Sequence, residues 1–345
     1  PRPETLQVPS PVFQILLCLT FILHLILMNI ALGGSVLNAA YRLGGRLAPQ
    51  AARNLPTTLA LAVNLGVPPL LFLQVLFGQF FYTSSVLMAS YWLAVVPILI
   101  VAYYAAYIMQ RKARPMAGTI WSVVSALLLL AIAFIYVNNM SLMLRYDRWL
   151  EYFKDKAGLM LNLSDPTLFP RFLHFVVGAL AVASISWCAW ALFRERRGSG
   201  ADELAKKSGL RLFWIFTSIE AVIGLSWFGT LPNDIMRLFL GGWAYATALL
   251  ILGLLLTLGM LIHAIGGKFK VSAILLVPTL VAMVLMRDLI RAAYLSPVFA
   301  VGKIEVAPQY GPFILFIAAF ALGLSILAWM ISSALKSGKS EGSAK

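Results

Sequence analysis

Three histidines and one carboxylate set the chemistry open to this sequence inside its long apolar runs. His24 stands near the middle of the run 11–41, PVFQILLCLTFILHLILMNIALGGSVLNAAY. His174 follows Arg171 by three positions in RFLHFVVGALAVAS, and Glu220 is the lone carboxylate well inside such a run, FWIFTSIEAVIGLSW. An ionisable group at that depth is costly unless it is paired, hydrogen-bonded or ligating, so each is a functional candidate by position alone. An imidazole there can hold iron, relay a proton or bond a backbone carbonyl, and all three remain open for His24 and His174. Arg171 and His174 share a helical face one turn apart. A haem held edge-on needs that combination: an imidazole for iron and a cation near its propionates. Glu220 suits a group that takes and passes a quinol's proton, or a carboxyl that bridges helices. His263, beside Gly266-Gly267-Lys268 at the end of its run, suits an ordinary interfacial side chain.

A second group is cationic. Arg237 follows Asp234 at the start of one run, and MRDLIRAAY ends the next, supplying Arg287, Asp288, Arg291 and Tyr294. Arg287 and Arg291 are four apart and share a face. Such arginines clamp propionates, close an ion-pair network or dock a protein, and arginine is better than lysine at gripping a carboxylate with two bonds. Asn29, Asn64, Gln74, Asn138 and Asn139 read as interhelical hydrogen-bond formers. Cys18 and Cys188 lie in apolar runs with no CxxC, CxxCH or zinc spacing, which excludes covalent c-type haem and iron–sulfur clusters within the chain.

These residues must be positioned by membrane helices. Of 345 residues 61% are hydrophobic and only 12% charged, with a mean hydropathy of +0.88. That is about half the charge density of a soluble domain. Nine spans are expected, near 11–40, 56–81, 85–109, 117–142, 168–193, 211–231, 237–265, 271–293 and 310–335. They form one all-α polytopic bundle over 1–336, with a disordered cytoplasmic tail at 337–345. With the N-terminus outside, the inner segments hold 17 Lys/Arg against 4 Asp/Glu, and the outer ones 10 against 8. This asymmetry orients the bundle with its C-terminus inside. The net charge of +14 therefore reflects topology and anionic lipid, and nucleic acid is excluded as a partner. Loop 143–167 carries Tyr146, Trp149, Tyr152 and Phe153 at helical spacing, which predicts an amphipathic helix on the outer interface. Segment 194–211 reads as a solvated linker, and Pro68-Pro69 and Pro97 should kink or break their helices.

With these motifs in place, the chain resembles the larger subunit of cytochrome bd quinol oxidases, in topology over most of its length and in sequence over short patches. FQILLCLTFILHLIL with His24 is similar to that family's first-span haem-ligating motif. RFLHFVVGALAVAS with His174 is similar to the fifth-span motif whose histidine ligates low-spin haem. GVPPLLFLQVLFG, and Arg237 through Gly242, are looser matches to its later motifs. The resemblance implies haem b at His24 and His174, and a second, similar membrane subunit alongside. Three departures stand against an oxygen-reducing centre. Gln74 replaces a family glutamate, Phe239 replaces the methionine that completes the low-spin haem, and the quinol-binding loop shrinks to about LPNDIM.

The resulting expectation is a membrane subunit of a bacterial respiratory complex in the inner membrane. It would pass electrons between quinone or quinol and a periplasmic c-type cytochrome through b-type haem. Arg171, Arg237, Arg287 and Arg291 would neutralise propionates, and Glu220 would handle protons. A haem-free quinone- or lipid-binding anchor for extrinsic cytochromes is the alternative. A secondary transporter is a third, although no inverted repeat is visible.

Overall fold

In lipid the backbone must satisfy its own hydrogen bonds, so apolar runs of this length have helix as their solution. The computed structural model describes residues 5–46, 54–111, 115–153, 156–198 and 202–340. Among them the regular structure is helical: α1 (Ser10–Leu43), α2 (Leu55–Leu87), α3 (Ala89–Arg111), α4 (Pro115–Leu142), α5 (Leu168–Arg196), α6 (Glu203–Gly229), α7 (Asn233–Arg237), α8 (Ala244–Ile265), α9 (Phe269–Leu295) and α10 (Tyr310–Ser340). Eight of these, α1 to α6, α8 and α9, are long and apolar enough to cross a membrane. The ninth expected span, 310–335, falls on α10, whose sequence stays apolar from Phe313 through Ile331. The protein is a multi-pass helical bundle, and side chains such as Leu93, Leu255 and Ile274 turn outward, as lipid-facing residues do.

α1 is the central helix, packed against α2, α4, α5 and α9, while α3–α4, α5–α6 and α8–α9 form antiparallel pairs. Small residues let these helices approach closely. Gly33 of α1 lies so near the Ala179 carbonyl of α5 that no side chain could fit. A Cβ on Gly209 of α6 would come within 2.8 Å of the Ser184 carbonyl of α5. At one end of the bundle, here the loop end, the N-terminal segment clasps the α9–α10 connection. Leu6 N–H donates to Glu305 O at 2.8 Å, and Ala307 N–H donates to Leu6 O at 2.8 Å.

Several expectations are refined. The helix expected from the aromatics of loop 143–167 is present as a 3-10 helix over Tyr146–Phe153. Among the described residues the rest of the loop is irregular and held by its own polar bonds. Asp165 accepts from Thr167 N (2.8 Å), Thr167 Oγ1 (2.7 Å), Ser141 Oγ (3.2 Å) and Asn162 Nδ2 (3.0 Å). Arg145 stands 3.5 Å from the same carboxylate. Burial works to raise Asp165, but those hydrogen bonds and the guanidinium prevail and hold it below the usual carboxylate range. Segment 194–211 is mostly helical too. α5 runs to Arg196, and Asp202 caps α6 by accepting Ala205 N–H at 3.0 Å. Lys206 then pairs with Glu195 across the turn at 2.6 Å.

Helical dihedrals in α2 fail not at Pro68-Pro69 but at Phe77 (φ −132°, ψ 28°). α10 continues to Ser340, four residues into the segment expected to be disordered, and 341–345 lie outside the described residues. The expected span 237–265 is divided: α7 is followed by a wide π-helical turn, Leu238–Gly242, before α8 begins. Gly241 takes φ +108° there, a conformation a side chain would resist.

Candidate functional site

The α5–α6 pair carries its polar residues in matching register. On α5, Arg171, His174 and Gly178 lie at i, i+3 and i+7; on α6, Glu220, Gly224 and Trp227 lie at i, i+4 and i+7. Each set therefore makes one stripe. The helices run antiparallel, so Arg171 meets Trp227, His174 meets Gly224 and Gly178 meets Glu220.

Large groups thus enter the gaps left by glycines. A Cβ on Gly224 would reach 3.0 Å from His174 Cε1, and one on Gly178 would reach 2.8 Å from Glu220 Oε1. The Trp227 indole stacks on the imidazole (6.0 Å between centroids, 21° between planes), and the Arg171 guanidinium covers the indole at 5.4 Å. His174 Nδ1 lies 3.0 Å from Glu220 Oε1. The ring is turned off the line of a hydrogen bond, so Nδ1 takes no hydrogen bond, and neither does the buried Glu220 Oε2 or Trp227 Nε1.

His24 occupies a different interface. Its ring projects from α1 onto α2, where Nδ1 lies 2.9 Å from the Ala62 carbonyl. As that oxygen can only accept, the ring must donate from Nδ1. A Cβ on Gly66, one turn along α2 from Ala62, would come within 2.9 Å of the ring, so glycine makes room here as well. The structure therefore does not bring the two histidines to one point: His24 faces α2 and His174 faces α6. Among the described residues Nε2 of neither ring makes a hydrogen bond or ion pair.

The cations gather near the loop end. Arg291 is buried, pairs with Asp288 one turn earlier and lies over the Phe77 ring at 4.4 Å. Arg287 lies over the Phe21 ring of α1 at 4.4 Å, and Phe21 in turn neighbours the His24 ring. Arg287 is close enough to Arg171 and Arg291 to feel both as like charges. Aromatic faces thus stand under all three guanidiniums, each a favourable cation–π contact. Arg291 pairs with Asp288, whose carboxylate Arg287 also feels, while Arg171 feels Asp165 instead; Arg291 Nε makes no hydrogen bond. Arg237 is not part of this cluster; it is exposed at the end of α7 and makes no side-chain bond or ion pair.

Of the expected interhelical amides, Asn139 qualifies, accepting from Ser84 Oγ at 3.3 Å and donating to Ser85 Oγ at 3.4 Å. Asn138 instead accepts the Asn162 N–H of the loop at 3.0 Å. Asn64 donates to Ala60 O and Gln74 accepts from Tyr82 OH, both within α2, so they bridge nothing. The Asn29 amide oxygen is buried without a hydrogen bond. Phe239 is packed edge-on against Phe228 at 6.0 Å in the α6–α9 core, as an apolar residue in that place should be. His263 lies in the last turn of α8, away from both sites.

Among the described residues no three His, Cys, Asp or Glu side chains converge as ligands for a bare metal ion. An iron already held in a porphyrin needs only one imidazole per face. No protein-family model and no curated protein sequence matches the chain.

Proposed function

We propose that this protein is the membrane-embedded subunit of a bacterial respiratory electron-transfer complex in the inner membrane. It carries electrons between the quinone pool and a c-type cytochrome on the outer face, through b-type haem at His24 and His174. The observation that carries this reading is how the two rings are held. A histidine that ligates a metal nearly always anchors its other nitrogen on a carboxylate or a backbone carbonyl. His24 has Nδ1 on the Ala62 carbonyl and His174 has Nδ1 beside the Glu220 carboxylate, which leaves Nε2 of each for iron.

The donor set fits the group. Haem supplies one-electron iron chemistry when bound. Arg171, Arg287 and Arg291 supply guanidiniums of the kind that neutralise propionates. Arg237, exposed and apart, belongs to the outer surface. The loop end would then be the outer face, where the partner cytochrome docks.

A reduced-minus-oxidised spectrum of the purified protein tests the reading. The expected result is a b-type difference spectrum that loses separate fractions in His24→Ala and His174→Ala. A colourless preparation overturns it. A haem-free anchor for extrinsic cytochromes would then take its place, since the same two nitrogen contacts also serve to hold helices together.

A further inference from the structure

We infer that Glu220 is a positioning residue that acts through His174 and gives that site a lower reduction potential than the His24 site. This inference rests on haem ligation by His174 as proposed above. Two separate glycines make room for one contact. Gly178 admits the carboxylate against α5, and Gly224 admits the imidazole against α6. The outcome is a buried carboxylate oxygen 3.0 Å from His174 Nδ1, poised to accept its proton in a hydrogen bond after a modest turn of the ring. Trp227 stacks on the same imidazole.

A carboxylate in this position does three things. It selects the tautomer with hydrogen on Nδ1, aims the Nε2 lone pair away from α6, and makes the imidazole a stronger donor. A stronger donor favours ferric over ferrous iron and lowers the potential. The corresponding acceptor at His24 is the neutral Ala62 carbonyl, which polarises the ring less. The two sites thus differ in the acceptor behind the ligand, a side-chain carboxyl at His174 and a backbone carbonyl at His24.

The experiment is an optical redox titration of the full-length protein in detergent, with the haem-to-protein ratio measured for wild type, Glu220→Gln and Glu220→Ala. Glutamine keeps size and an acceptor oxygen but removes the charge. Glu220→Gln is expected to retain haem and to raise one of two potentials, by about 59 mV for each tenfold loss of ferric preference. The other potential should stay in place. Glu220→Ala is expected to weaken haem retention at one site by roughly 10- to 100-fold. If both variants keep wild-type potentials and haem content, the inference is overturned. A wild-type protein without haem instead strikes down the functional reading on which the inference stands, so the two failures are told apart.

Discussion

The two histidines inside the spans lie at different helix interfaces, His24 between α1 and α2 and His174 between α5 and α6, and are held by opposite means. His24 leans on backbone: its nitrogen meets the Ala62 carbonyl and its ring lies against Gly66. His174 leans on side chains, with Glu220 at Nδ1, Trp227 on its face and Arg171 beyond the indole. A site held by backbone is fixed by the helix that carries it and is hard to retune by substitution. One held by side chains can be altered residue by residue. What they share is a glycine on the facing helix wherever a ring must enter, because a ring and a Cβ cannot occupy the same space between closely packed helices.

The largest expected effect comes from filling that shared space. Gly66→Ala would place a Cβ 2.9 Å from the His24 ring, which cannot retreat without giving up the Ala62 bond. We expect about 1–3 kcal/mol of destabilisation from overpacking, together with displacement of the imidazole. Gly224→Ala should cost less, since a Cβ at 3.0 Å meets a ring tied only to side chains that can move with it. Thermal unfolding in detergent, with the spectrum of the proposed haem followed alongside, ranks the two. Equal losses would mean that the mode of anchoring has no influence on how each site yields.

Much of the fold could be read from the sequence because burial in lipid is written into composition. Runs of apolar residues announce themselves, and a lone His24, His174 or Glu220 within them is conspicuous. The partners were harder to find. Ala62 contributes only a carbonyl, which every residue has, and Gly66 and Gly224 act through what they lack. Trp227 left a signal, since it shares a stripe with Glu220 and Gly224 at helical spacing, but nothing in one dimension says that this stripe faces Arg171 and His174. The loop at 143–167 is legible only in part, for a related reason. Its aromatics have helical spacing, yet Asp165 and Asn162, further along the chain, fold it back onto Ser141 and Asn138.

That loop marks where the comparison between the two histidines stops, because it connects two spans whereas they lie within spans. Asp165 has its carboxyl held below the ordinary range, so the native state is favoured at any pH where it is ionised. Its contribution is complete above the unfolded value of about 3.9 and is lost as pH falls through the lowered native value. Unfolding temperature should therefore drop in strongly acidic buffer, and Asp165→Asn should flatten that drop. At neutral pH the same variant should lose about 1–3 kcal/mol, because four donors then face a weaker acceptor. Asp147, also held low by the Arg145 guanidinium but much more exposed, should contribute little. His24→Gln should leave the acid limb of the curve unchanged, and if it does not, the intramembrane sites are open to solvent protons after all.

The smallest effect expected separates the sites most cleanly. Trp227→Leu keeps apolar bulk on α6 but removes the flat surface shared by the His174 imidazole and the Arg171 guanidinium. The lost stacking and cation–π contacts are together worth roughly 0.5–2 kcal/mol. Nothing in the α1–α2 interface touches this indole, so the change should broaden or shift the spectral component that His174→Ala removes and leave the His24 component in place. Trp227→Phe, which restores a flat face without the indole N–H, should recover most of the effect. That recovery is informative because the indole N–H is buried without a hydrogen bond, so phenylalanine gives up the surface it needs least. Were phenylalanine no better than leucine, the tryptophan's role would lie in its N–H rather than its face, and His174 would have to be held by Glu220 alone.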